Sequence, residues 1–277
     1  MNDLLTIMWL PFLACLVLAT ILGYLGMHVL ARGIIFVDLA LAQFAALGAT
    51  LAILFHLEPE DPRAYGLSLA FTIVGAVVFS LSRMRERAIP QEAWIGVSWA
   101  VASSAAILAV STSPHGAEHL EATLVGSILW VTPGQVMQAA VIYALVGLFH
   151  WIFRQRFFAI SFDPDGLVAR GMSLRWWDFL FYASFGFVVT SAVRIAGVLL
   201  VFSFLIVPSI VGTLFAGSVR GRLLLAWVFG WLVSTVGCLV SYRADLPTGA
   251  AVVCTFGAVL LVAIAVQRLR ALRAGKG

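Results

Sequence analysis

The sequence predicts an all-α, polytopic membrane protein of about nine transmembrane helices. Three observations carry that reading. Mean hydropathy is +1.04. Of the 277 residues, 62% are hydrophobic and only 11% charged, whereas a soluble globule carries roughly 25% charged residues. Apolar runs of about 20 residues, the length that crosses a bilayer as a helix, recur along the whole chain. They are too long and too uniform for the alternating strands of an outer-membrane barrel.

The spans follow in order at about 3–27, 34–56, 64–82, 93–112, 136–153, 176–193, 195–216, 223–241 and 247–267. No basic segment precedes the first, and its apolar run exceeds that of a signal peptide, so it reads as a retained helix. An acidic turn, "HLEPEDPRA", follows the second span. A stretch free of Lys and Arg, "SPHGAEHLEATLVGSILWVTPGQ", follows the fourth, and its centre, 120–130, reads as a short helix at the outer surface. The spans on either side of Arg194 can also be drawn as one broken unit. One membrane domain covers 1–267, and a basic cytoplasmic tail covers 268–277.

Charge placement orients the drawing. With the C-terminus cytoplasmic and the N-terminus outside, fourteen Lys and Arg fall on inner segments, and only Arg63, Arg194 and Arg243 fall outside. That is the positive-inside bias. The net charge of +4 therefore reports topology, not nucleic-acid binding. Cys15, Cys238 and Cys254 lie in apolar runs and read as buried thiols, with no disulfide framework or zinc spacing.

The single lysine is Lys276, and no G-x-x-x-x-G-K-[ST] occurs, so this chain has no P-loop with which to hydrolyse ATP. No metalloprotease, nucleophile-elbow or dinucleotide signature is present. Transport, a channel or scaffolding remain.

One polar segment stands out, "FDPDGLVARG" at 162–171. Asp163 reads as an N-cap and Pro164 as the first helical residue. Asp165 sits in the first turn, where the dipole favours an anion, and Gly171 suits a left-handed stop. A two-turn helix is marginal alone in water. With Leu167 and Arg170 it forms a candidate docking helix on the cytoplasmic face for a separate ATPase.

Several segments together resemble the permease subunits of ABC importers for zinc, manganese and iron. "FDPDGLVARG" is similar to that family's F-D-P-E-x-A-x-x-x-G segment. "GVLLVFSFLIVPSIVGTLFA" (197–216), "DLPTGAAVV" (245–253), "EHLEATLVGSILWVT" (118–132) and "LARGIIFVDLALAQFAALGA" (30–49) resemble further family segments in the same order. The resemblance implies a bacterial inner-membrane permease that works beside a second permease copy, as a homodimer or heterodimer. It also implies cytoplasmic ATP-binding subunits and an extracytoplasmic metal-binding protein. The divalent ion (zinc, manganese or iron) is cargo, and no cofactor is expected on this chain. A metal chelate is the alternative cargo. A stand-alone secondary transporter or channel is the alternative from another class, and it predicts ionisable groups at several depths.

The family's second span carries an aspartate and a histidine four residues apart. Here Asp38 is present and Gln43 stands where the histidine is expected, five residues on. On an ideal helix five residues rotate by about 140°, unless a π-bulge intervenes. Glutamine is also a poorer zinc ligand than imidazole. An intramembrane aspartate costs about 2.5–3.5 kcal/mol on insertion scales and usually faces a cavity. Asp38 is thus the candidate pathway residue, with Gln43 beside it; the competing expectation is an interfacial ion pair with Arg32. Ala42, Ala45, Gly48 and Ala49 suit tight helix packing.

His115, Glu118, His119 and Glu121 form a histidine–carboxylate cluster at the outer surface, a candidate ion-collecting mouth. His28, His56 and His150 are expected to pack at the interface. Asp178, beside Trp176 and Trp177, is expected to be an interfacial anchor. Pro208 is expected to kink the seventh span and break a pathway helix there.

Overall fold

The structure, a computed structural model, describes residues 2–58, 61–83, 89–111, 126 and 128–274. Its α-helices in chain order are α1 (Asn2–Arg32), α2 (Val37–Leu54), α3 (Pro62–Ser82), α4 (Gln91–Val110), α5 (Pro133–Ile152), α6 (Arg154–Phe162), α7 (Pro164–Ala169), α8 (Leu174–Phe215), α9 (Val219–Ala244) and α10 (Thr248–Ala274). A 3₁₀ turn at Ile128–Trp130 precedes α5. Of the surface helix expected over 120–130, residues 120–125 and 127 lie outside the described residues, and Gly126 is not helical.

Among the described residues, eight helices are long and apolar enough to cross a membrane. The count differs from nine because the spans drawn at 176–193 and 195–216 form the single 42-residue element α8. At about 1.5 Å per residue such an element is roughly twice as long as the ~30 Å hydrocarbon layer is thick. It is interrupted at Gly197, with φ 75° and ψ 163°, a conformation essentially confined to glycine. The break thus lies at Gly197, while Pro208 sits within helical backbone. α10 runs on as helix to Ala274, through most of the expected basic tail.

The chain divides into two compact units. Unit one holds Met1–Leu30, Val125–Gln138 and Ile195–Gly277, and unit two holds Ala31–Leu124 and Ala139–Arg194. In unit one, small residues let helices approach closely. A Cβ on Gly237 would lie 2.7 Å from the Cα of Val252, and one on Gly230 would lie 3.2 Å from the Cβ of Ala19. The Trp227 indole N–H donates to the Thr20 carbonyl at 2.8 Å. Cys15 and Cys238 are buried with their sulfurs 4.0 Å apart. Cys254 is exposed on α10, contrary to the expectation of three buried thiols. α9 closes on Asp245 in the left-handed region, and the Ser241 hydroxyl meets that of Thr248 at 2.9 Å as α10 begins.

In unit two, α2 packs against α3 and α4. Ala42, Ala45 and Gly48 face inward as expected, whereas Ala49 is exposed. A Cβ on Gly48 would come within 2.7 Å of the Leu67 carbonyl oxygen and the Ser68 Cα. The acidic turn before α3 supplies its cap: the Asp61 carboxylate accepts from the Arg63 backbone N–H at 2.7 Å. Its hydrogen bonds to Arg63 hold the half-buried Asp61 carboxyl below its ordinary range.

Candidate functional site

Two places in unit two gather the residues singled out in the sequence. The first is α7. Asp163 accepts from the Gly166 backbone N–H at 3.1 Å, and Pro164 opens the helix. At the other end the Gly171 N–H donates to Val168 O at 2.9 Å and the Met172 N–H to Leu167 O at 3.3 Å. Gly171 stands at φ 73°. This is a full Schellman closure, which needs a left-handed residue at that point. Six residues therefore hold a defined helix that would fray without both caps. Leu167 is fully buried and anchors it from below. Asp163 and Arg170 are each 62% exposed and pair at 3.3 Å, a contact worth little in water. Asp165 also faces out. The outer face is thus polar and rigid, and the inner face apolar.

The second place is the start of α2. Phe36, at the N-cap position, provides no side-chain cap. Asp38 lies in the first turn, where the helix dipole favours its charge. It is only 2% exposed, and its Oδ1 has no hydrogen-bond partner among the described residues. The expected alternative, an ion pair with Arg32, is not formed: Arg32 Nη1 donates to Asp178 at 3.1 Å and its Nε to the Ser161 hydroxyl at 3.0 Å. α2 is α-helical throughout, without a π-bulge. Asp38 and the buried Gln43 therefore leave the helix about 140° apart. One turn above Asp38 on the same face stands Ala42, buried and without a donor atom.

The remaining expected positions divide. His115, Glu118, His119 and Glu121 lie outside the described residues. Among the described residues no three His, Cys, Asp or Glu side chains gather closely enough to hold a metal ion. His28 and His150 are buried rather than interfacial. The His150 ring stacks on Phe157 with centroids 4.0 Å apart and meets the Ser184 hydroxyl at 2.8 Å. His56 is exposed.

Asp178 corrects the expectation most clearly. It is fully buried, not an interfacial anchor. Besides Arg32, it accepts from Arg83 Nη1 at 2.6 Å. The flanking tryptophans suggested an interface, but the two arginines, distant in sequence, point inward and bury the acid. Gln91 also escaped sequence reasoning: its amide donates to Phe79 O at 2.9 Å and to the Tyr182 hydroxyl at 3.0 Å.

A family profile described as "ABC 3 transport family" matches residues 5–267. The chain belongs to that family. Among the relatives of this ABC 3 protein, the "Probable metal transport system membrane protein" of Chlamydia pneumoniae is 25% identical over 246 residues, covering 86% of this chain and 81% of the relative. The "Manganese transport system membrane protein MntC" of Listeria innocua is 24% identical over 231 residues, covering 83% and 80%. Among solved structures, PsaBC from Streptococcus pneumoniae in complex with Fab is similar in fold, with a TM-score of 0.78 at 21% identity over 95% of this chain and 93% of that one. The fold is thus common to the ABC 3 chain and its structural neighbour.

Proposed function

We propose that this chain is the membrane-spanning subunit of an ATP-driven importer for a divalent metal ion, with zinc, manganese and iron as the candidate cargoes. Membership of the ABC 3 transport family and relatives named for metal and manganese transport support the class. The observation that carries the coupling role is α7: a six-residue helix capped at both ends, anchored by buried Leu167 and presenting Asp163, Asp165 and Arg170 outward. A rigid exposed helix on a chain without a P-loop suits docking into a separate ATPase. With the parts of α8 on either side of Gly197 counted as two crossings, the fourteen-to-three bias of basic residues favours a cytoplasmic α7 and C-terminus, an outer N-terminus and a place in the bacterial inner membrane. A second permease copy and an extracytoplasmic binding protein complete the assembly.

In this reading Asp38 is a contact for the cation in transit, since its carboxylate is buried and Arg32 does not neutralise it. With Gln43 where the family's histidine is expected, oxygen ligands are favoured over an aspartate–histidine pair. The outer cluster of His115, Glu118, His119 and Glu121 would collect ions.

The test is uptake into proteoliposomes holding the reconstituted complex, with Zn²⁺, Mn²⁺ and Fe²⁺ offered separately. Uptake that requires both ATP and the binding protein is expected. Uptake by the permease alone, driven by an ion gradient, would replace this reading with a secondary transporter.

A further inference from the structure

Asp178 sits where four helices end or begin. Its Oδ1 accepts from Arg32, the last residue of α1, at 3.1 Å, and from Arg83, the C-cap of α3, at 2.6 Å. Its Oδ2 accepts from the same Arg83 nitrogen at 2.8 Å. Both arginines continue to α6: Arg32 Nε donates to the Ser161 hydroxyl at 3.0 Å, and Arg83 Nη2 donates to the Ile160 carbonyl at 3.3 Å. The Arg32 guanidinium also lies 3.9 Å from the centre of the Phe181 ring. Side-chain exposure is 2% for Arg32, 18% for Arg83 and 0% for Asp178.

Stability alone is a poor reason for this cluster. Two guanidiniums share one carboxylate in a buried place, and buried ion pairs are often no more stabilising than apolar residues of similar volume. What the cluster does supply is fixed geometry, because a guanidinium fork binds several partners in set directions. Ile160 and Ser161 lie in the last turn of α6, just before the Asp163 cap of α7. At its other end α7 closes through Gly171 into α8, whose first turns carry Asp178. The docking helix is therefore clasped from both sides, and the clasp is fastened to the ends of α1 and α3.

We propose that Asp178, Arg32 and Arg83 form the positioning joint that transmits displacement of α7 to the spans α1, α3 and α8. The inference rests on the reading that α7 docks on an ATPase. The joint touches neither ATP nor cargo. It makes movement of α7 and movement of the spans one event.

Arg32→Lys keeps the buried charge but cannot hold Asp178 and Ser161 together, and Ser161→Ala removes the Arg32 link to α6 while the Arg83 link to the Ile160 carbonyl remains. Each variant is reconstituted with the ATPase and binding protein, and ions taken up per ATP hydrolysed are measured beside ATPase co-purification. With ATPase association retained, uptake per ATP is expected to fall roughly tenfold, the scale of losing one charge-assisted hydrogen bond. An unchanged ratio in both variants, whether uptake and hydrolysis hold steady or decline together, would make the cluster a static clasp and overturn the proposal. Failure of the docking reading gives a different result: capping mutations in α7 would leave ATPase association intact.

Discussion

Gly126 lies against the backbone nitrogen of Gly197, so close that a Cβ on Gly126 would overlap the peptide joining Ala196 to Gly197. Both glycines have positive φ, 72° and 75°. The break in α8 and Gly126 are thus fitted to each other, and each glycine needs the absence of a side chain for its own reason. Gly197→Ala is expected to destabilise by about 1–3 kcal/mol, the cost of a non-glycine residue in that region. Gly126→Ala adds a steric clash with backbone that cannot rotate away. Gly147, with open space around its Cβ position in α5, is the control, and alanine there is expected to be neutral or slightly stabilising. Thermal midpoints of the purified permease variants check the order. Equal midpoints for Gly197→Ala and Gly147→Ala would show that the break is not specified at Gly197.

The caps of α7 can be removed without touching its buried anchor. Asp163→Ala deletes the N-cap bond, at a cost of about 0.5–2 kcal/mol, and Gly171→Val places a β-branched residue at φ 73°. The helix has six residues, too few to survive both losses. Co-purification of the ATPase and transport-linked hydrolysis are expected to fall while membrane insertion stays normal. Wild-type association in the double variant would remove α7 from the coupling role.

Local features were legible in the sequence because their causes are local. Asp163, Pro164 and Gly171 sit within ten residues, and each has one conformational reason to stand where it does. The apolar runs announced the spans in the same way. The Asp178 cluster was hidden because its partners are 146 and 95 residues away, and nothing in "LRWWDFL" reveals that two arginines will reach the aspartate. The tryptophans beside it carried a surface signal that long-range pairing overrode. Pro208 drew attention as the general helix breaker, yet the non-helical backbone angles fall eleven residues earlier, at Gly197. One broken unit around Arg194 was legible and is what α8 forms, but Gly197 is one of 24 glycines and no local pattern marked it as the point of the break.

Helix packing in unit two gives a direct size test. Gly48→Val would push α2 from the α3 backbone, since even a Cβ there reaches within 2.7 Å of Leu67 O and Ser68 Cα. Overpacking of this kind costs about 1–3 kcal/mol. A lower thermal midpoint is expected, together with reduced uptake, because Asp38 rides on the same helix. Gly66→Val, at a position with open space around its Cβ, should show neither effect to the same degree. Matching losses at both positions would point to a general intolerance of valine in these helices and not to the α2–α3 contact.

Asp38 carries the sharpest expectation. Asp38→Asn preserves size and removes charge, so packing and insertion should persist. The ATPase should still associate, since α7 and the Arg32–Asp178 pair do not involve Asp38. Uptake of the preferred ion is expected to fall severely, because the buried Oδ1 is an oxygen without a protein partner among the described residues and would lose the charge that holds a cation. Gln43→His tests a different point. With about 140° between the two side chains on an uninterrupted helix, histidine at 43 is not expected to join Asp38 at one ion, and cargo preference should stay as it was. A shift towards softer metals in Gln43→His would mean that α2 rearranges during transport. A fully active Asp38→Asn protein would remove Asp38 from the cation pathway and leave it as a buried acid of the helix start.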